Sequence, residues 1–196
     1  MPTITKAKVL IVATHGFEQS ELEVPRNRLE EAGATVTIAA PEGGQIRGWE
    51  KREWCRSVPV DIVLHDVDPS DYDALVLPGG QMNPDTLRGN DEALGLIRAF
   101  LRSGKPVAAI CHAPWLLVEV DAVRGRDVTS WPTVRKDLEN AGATWIDQPV
   151  VVDGSIITSR SPHDLEAFSA AIIDAIELGL PTILAPVTER RLARAE

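Results

Sequence analysis

Residues 106–115 read PVAAICHAPW, and this decapeptide decides the fold. Pro106 to Ile110 is a short, uninterrupted apolar run, as expected of a strand buried on both faces. Cys111, His112 and Ala113 follow with no spacer, and Pro114 opens a helical stretch, the position where proline suits a helix start. A strand that turns into a helix at a cysteine predicts an elbow. The turn lifts the thiol out of the sheet and aims the first free N–H groups of the helix at its sulfur. Those groups favour the thiolate, which is the nucleophile, and His112 stands beside it as a base or orienting group. Taken alone, the pair favours a plainer reading, a core cysteine followed by a surface histidine. The rest of the chain reverses that balance.

Working outward, Lys8 to Ala13 (KVLIVA) is a second buried-strand run, followed by a polar turn, Thr14 to Ser20. Glu21 to Ala32 carries Leu22, Leu29 and Ala32 on one helical face and stops at Gly33. Ala34 to Ala40 and Ala74 to Leu77 are further strands, the latter ending in Pro78-Gly79-Gly80. Asp91 to Arg102 and Val134 to Ala141 read as helices, Val150 to Ser159 as a hairpin around Asp153-Gly154, and Pro162 to Leu178 as a final helix. Gly43 to Pro59 is polar and tryptophan-bearing, a loop or hairpin outside the core. Strand and helix alternate at short spacing, which predicts an α/β fold with a mostly parallel, doubly wound sheet sandwiched by helices. Sites in such sheets form beyond the carboxyl ends of the strands, where the turns Thr14–Ser20, Pro78–Asp85 and Cys111–Pro114 fall.

A chain of 196 residues with 44% hydrophobic and 25% charged content predicts one globular domain, placed at residues 1–180, with residues 181–196 as a C-terminal extension. A net charge of −9 argues against nucleic-acid or anionic-membrane binding. Two cysteines, Cys55 and Cys111, imply no disulfide framework. Residues 1–8 lack the apolar core of a signal peptide, and no run reaches membrane-spanning length, so a cytoplasmic protein is expected.

Around the thiol, Glu18 is either a protonated carboxyl that hydrogen-bonds the sulfur or a solvated loop glutamate. Gly79 and Gly80 let backbone pass close to a ligand and expose N–H groups for an oxyanion, or form a tight turn only. Asp85 can orient an imidazole as the third member of a triad, or cap a helix. His15 lies at the mouth of the expected site as a substrate contact. No spacing matches a metal-ligand signature, so neither metal nor organic cofactor is expected. Cys55 and His65 take structural readings.

The runs KVLIVATHGFEQSELEVP, DALVLPGG, GKPVAAICHAPWLL, GRDVTSWPTVRKDLENAGATWID and VVVDGSIITSRSPHDLEAF, collinear over residues 8–178, resemble the PfpI family. That family holds intracellular proteases and general stress proteins, in the superfamily of the parkinsonism-associated protein deglycase. The resemblance implies a flavodoxin-like, class I glutamine amidotransferase-like fold. It makes Cys111 the elbow nucleophile, His112 its base and Glu18 the acid bonded to the thiol. Gly80 and His112 become the oxyanion donors, and Asp85 a triad acid lent by a neighbouring subunit of a homodimer or larger homo-oligomer. Where the deglycase branch carries histidine before the proline of the fourth run, this chain has Trp131, so the base is His112 or none. The glutamine amidotransferases themselves expect glycine at Ala113 and a late His-x-Glu that is missing.

These features predict a cofactor-independent glyoxalase or deglycase acting on small reactive carbonyls or their adducts. The alternatives are a cysteine peptidase using Cys111, His112 and Asp85, and a non-enzymatic redox-sensing or chaperone stress protein whose thiol oxidises.

Overall fold

The structure is a computed structural model, and it describes residues 3–178. The expected extension at 181–196 lies outside the described residues. Chain order runs β1 (Lys8–Val12), α1 (Gln19–Glu31), β2 (Thr35–Ala40), β3 (Gln45–Glu50), β4 (Glu53–Pro59), β5 (Ile62–Val63) and β6 (Ala74–Leu77). It continues with α2 (Met82–Leu87), α3 (Asp91–Ser103), β7 (Val107–Ile110), α4 (Pro114–Glu119), β8 (Asp127–Val128) and α5 (Arg135–Asn140). The last elements are β9 (Thr144–Trp145), β10 (Val150–Asp153), β11 (Ile156–Ser159) and α6 (Leu165–Leu178).

Seven strands form the central sheet in the order β10-β11-β7-β6-β1-β2-β5. Every pairing is parallel except β10 with β11, the hairpin expected at Asp153-Gly154. The strands are apolar throughout because both faces are covered. Val9 and Ile11 of β1 join Leu22 and Leu29 of α1 and Phe168 and Ile172 of α6 in one core. Leu10 and Val12 point the other way, into a second core with Ile97 and Phe100 of α3, Leu116 and Leu117 of α4 and Leu138 of α5. One strand thus feeds two cores by the two-residue alternation of the pleat. The expected doubly wound α/β architecture is what the chain adopts.

Two elements depart from the expected outline. The segment Pro78–Asp85 is not all turn, since α2 begins at Met82. The tryptophan-bearing segment takes the expected hairpin form, β3 with β4 and Trp49 edge-on to Trp54 at 5.3 Å, but it is not outside the core, since Ile46 and Val58 are buried in it. It straps the turn after β1, as Gly16 N–H donates to the Arg47 carbonyl at 2.8 Å and Trp49 N–H to the Phe17 carbonyl at 2.7 Å. No helix of the described residues is long and apolar enough to cross a membrane.

Candidate active site

Cys111 sits directly after β7 with φ of 63°, in the left-handed region that a residue with a side chain rarely occupies. Its backbone is held at both ends. The N–H donates to the Ser159 carbonyl at 3.0 Å, and the carbonyl accepts from Trp131 N–H at 2.9 Å. The strain of about 1–2 kcal/mol persists because the flanking strand and loop fix the turn. The side chain projects from the carboxyl end of the sheet and is 5% exposed.

The three polar turns meet there, as expected. Gly79 and Gly80 make the meeting possible. A Cβ on Gly79 would stand 2.7 Å from the Cys111 Cβ and 2.6 Å from Glu21 Oε2. Gly80 has φ of 83°, and a Cβ there would stand 2.5 Å from the Gly16 carbonyl oxygen. Buried Asn83 ties two turns together, accepting from Thr14 N–H at 2.7 Å and donating to the Pro78 carbonyl at 2.8 Å. Gly80→Ala therefore costs about 2–4 kcal/mol of stability, read as a fall in the urea midpoint of unfolding.

The carboxyl at the thiol belongs to Glu21, not Glu18. Glu18 is the N-cap of α1, where its Oε2 accepts from Ser20 Oγ at 2.6 Å and from Glu21 N–H at 2.9 Å. A side chain turned back onto its own helix end cannot also reach the sulfur. Three residues on, Glu21 lies on the inward face of α1 with Leu22, Pro25 and Leu29, fully buried. Its Oε2 accepts from Gly79 N–H at 2.9 Å, Oε1 is buried with no conventional hydrogen-bond partner, and the Cys111 thiol and Gly80 N–H also act on the carboxyl. Burial, aided by the Glu18 charge, pushes the Glu21 carboxyl up to about 8, so it carries a proton at neutral pH. Glu18→Ala is expected to cost about 1 kcal/mol of stability through the lost cap. It leaves alkylation of Cys111 by iodoacetamide within about threefold of the parent protein, since the proton-bearing carboxyl is elsewhere.

Several groups converge on the sulfur. Sγ lies 3.1 Å from His112 Nδ1 and accepts from the backbone N–H groups of Gly80 and His112. Burial first, then the charge and hydrogen bond of an ionised Glu21, hold the thiol well above its ordinary value, and the two N–H groups offset them only in part. Donors from a neighbouring turn and the elbow itself, rather than the end of the six-residue α4, therefore do the work expected of a helix terminus. Gly79 is not an oxyanion donor, because its N–H is committed to Glu21.

His112 is buried, and burial lowers its pKa, so the ring is neutral. Trp131 stacks on it at 6.0 Å and Trp115 meets it edge-on at 5.2 Å. Its Nε2 is buried and has no hydrogen-bond partner among the described residues. Asp85 is exposed on α2 and makes no contact with His112, so one protomer alone holds no Cys-His-Asp triad. His15 is exposed, with Nδ1 accepting from Arg47 N–H at 3.1 Å. It lines a cleft of about 290 Å³ whose walls do not include Cys111. Cys55 is a free, half-buried thiol on β4, and His65 sits in an exposed turn after β5 beside Asp66. Among the described residues no three His, Cys, Asp or Glu side chains cluster so as to hold a metal ion.

Residues 7–175 match the model of the DJ-1/PfpI family. The chain belongs to this family. A deglycase of Thermococcus kodakarensis is 45% identical over 161 residues, covering 82% of this chain and 94% of its own. General stress protein 18 of Bacillus subtilis is 40% identical over 172 residues, covering 87% of this chain and 98% of its own. Among solved structures, DJ-1beta of Drosophila melanogaster superposes with a TM-score of 0.79 at 29% identity, over 97% of this chain and 98% of that one. The elbow cysteine and the Gly-Gly turn thus sit within a DJ-1/PfpI domain that spans nearly all the described residues.

Proposed function

We propose that this member of the DJ-1/PfpI family is a cysteine-dependent glyoxalase or deglycase acting on small 1,2-dicarbonyls or their adducts. One observation carries the reading. A buried carboxyl that keeps its proton to about 8 lies against a thiol ringed by N–H donors. A protonated carboxyl with one unpartnered oxygen needs an acceptor, and the sulfur is the acceptor at hand. A sulfur that receives hydrogen bonds from Gly80 N–H and His112 N–H, and that faces a proton-bearing Glu21 carboxyl, is suited to negative charge. Burial and a charged Glu21 hold the thiol above its ordinary value, but a protonated Glu21 carries no charge and can donate to the sulfur, so we infer that the sulfur ionises against its burial.

The Cys111 thiolate adds to the aldehyde carbon of methylglyoxal, forming a C–S bond, and the carbonyl oxygen takes a proton from Glu21. The N–H groups of Gly80 and His112 carry the charge that develops on that oxygen. Glu21, now a carboxylate, removes the proton from the first carbon and returns it to the second, converting the hemithioacetal to a lactoyl thioester. Water cleaves the thioester, releasing lactate and the thiol. The net change is methylglyoxal plus water to lactate, with no external oxidant or reductant. A hemithioacetal or aminocarbinol adduct that reverts to free thiol or amine and the dicarbonyl supplies the same aldehyde to the thiolate, and the same steps then serve a deglycase.

The peptidase reading has one observation in its favour. His112 Nε2 is buried without a partner and Asp85 is exposed, as if the acid came from a second copy in a homo-oligomer. Incubation with methylglyoxal and with a fluorogenic peptide, side by side, separates the two. Lactate formation without peptide cleavage is expected. Peptide cleavage abolished by Asp85→Ala, with no lactate, overturns the proposal. We further assign the protein to the cytoplasm, consistent with its unpaired cysteines.

A further inference from the structure

The end of the sheet opposite the thiol carries a second cavity of about 400 Å³. It opens where β7 and β11 begin, with Ser155 and Ile156 in its wall, whereas Cys111 follows the far end of β7. Four arginines from two segments line it: Arg98 and Arg102 from α3, and Arg124 and Arg126 from the loop leading to β8. Arg98 and Arg102 are one helical turn apart and share a face.

Surface arginines in an acidic protein ordinarily find carboxylates, as Arg26, Arg28, Arg56, Arg88, Arg135 and Arg160 do here. Among the described residues, Arg98, Arg102 and Arg124 have no ion pair. Arg126 is pinned by Asp153, whose Oδ1 lies 3.4 Å from Nη1. The Arg124 guanidinium lies over Gly142, where even a Cβ would stand 3.1 Å from its Nη1. One carboxylate, Asp121, also lines the cavity. Three unpaired guanidinium groups against that carboxylate leave an excess of two positive charges in a chain of net charge −9. Like charges held on one wall repel unless an anion fills the space between them. Guanidinium forks match the oxygens of phosphate bidentately, and the Ser155 hydroxyl adds a neutral donor.

We propose that this cavity binds the dianionic head of a small, soluble phosphate monoester. The charge excess matches one such dianion, and an open cleft of about 400 Å³ has room for a molecule of metabolite size.

Isothermal titration calorimetry of the whole protein with glycerol phosphate, with glycerol as control, tests it. The expected dissociation constant is in the range of about 1 mM or tighter, with no heat from glycerol. Arg98→Ala and Arg124→Ala, both at exposed positions, each weaken binding at least ~10-fold. They leave the thermal midpoint and the alkylation rate of Cys111 unchanged. Absence of heat at 10-fold higher ligand, equal heat from glycerol, or full affinity in both variants overturns the proposal. So does sedimentation with phosphatidate vesicles in the absence of any heat from the soluble ester.

Discussion

Cys111→Ala is expected to abolish conversion of methylglyoxal to lactate, by at least ~10³-fold in kcat/KM, while leaving the protein folded. Without sulfur no covalent adduct forms, and none of the neighbouring groups replaces it: Glu21 bears a proton, His112 is neutral and Gly79 N–H is occupied. The fold survives because the elbow is held by its backbone hydrogen bonds to Ser159 and Trp131, which alanine keeps. Lactate formed by coupled assay, alongside a urea unfolding curve, checks both halves. Residual turnover within tenfold of the parent protein would remove the thiol from the reaction.

Glu21→Gln has the second largest effect, and it moves activity and stability in opposite directions. Glutamine keeps the acceptor for Gly79 N–H and presents an amide N–H to the sulfur, so alkylation of Cys111 persists. It has no proton to give to the adduct and no carboxylate to move one between carbons, so lactate formation falls at least ~100-fold. The buried carboxyl is raised from 4.5 to about 8 on folding, so the folded chain holds its proton more tightly than the unfolded one. That contribution to stability is fully present below pH 4.5 and is lost progressively as pH rises to about 8. Relative to Glu21→Gln, the parent protein should lose on the order of 3–5 kcal/mol between pH 4.5 and pH 8, measured as the difference between their urea midpoints. Turnover of the parent protein should fall above pH 8 as Glu21 loses its proton. A parallel pH dependence of stability in both proteins would show that Glu21 is not the buried acid.

The sheet was legible because these parallel strands are covered on both faces, so β1 after Lys8, β6 and β7 appear as unbroken apolar runs, ended by Thr14, Pro78 and Cys111. The elbow was legible for the same reason. Helix α2 was not: six residues with Pro84 among them give too little periodicity to distinguish a helix from a turn. The acid lies at Glu21, three residues beyond the expected Glu18. A helix counted from Glu21 puts Glu18 in the loop, yet the helix starts at Gln19 and uses Glu18 as its cap. The signal for Glu21 was present in the spacing of Glu21, Pro25 and Leu29, which puts a carboxyl on the apolar stripe. A charged residue on a buried stripe, directly below a cysteine elbow, is a better mark of the acid than proximity in the loop. Asp85 fails inside one protomer because α2 turns it to solvent. Asn83, which ties the turns together, carries no sequence signal beyond its position before a proline.

The arrangement also explains why the hairpin of β3 and β4 matters to a site it does not enter. Its backbone bonds to Gly16 and Phe17 hold the turn against which Gly80 packs. Shortening the hairpin would loosen the N–H group of Gly80 that points at the sulfur.

The central proposal is that Cys111 is a thiolate at neutral pH, against the upward pull of its burial, because Glu21 keeps the proton. Thiolate absorbance near 240 nm, taken as the difference between the parent protein and Cys111→Ala across a pH titration, tests it most directly. The account predicts thiolate already formed at pH 7, well below the ordinary thiol midpoint of about 8.5. A thiolate signal that appears only at or above that midpoint would contradict it.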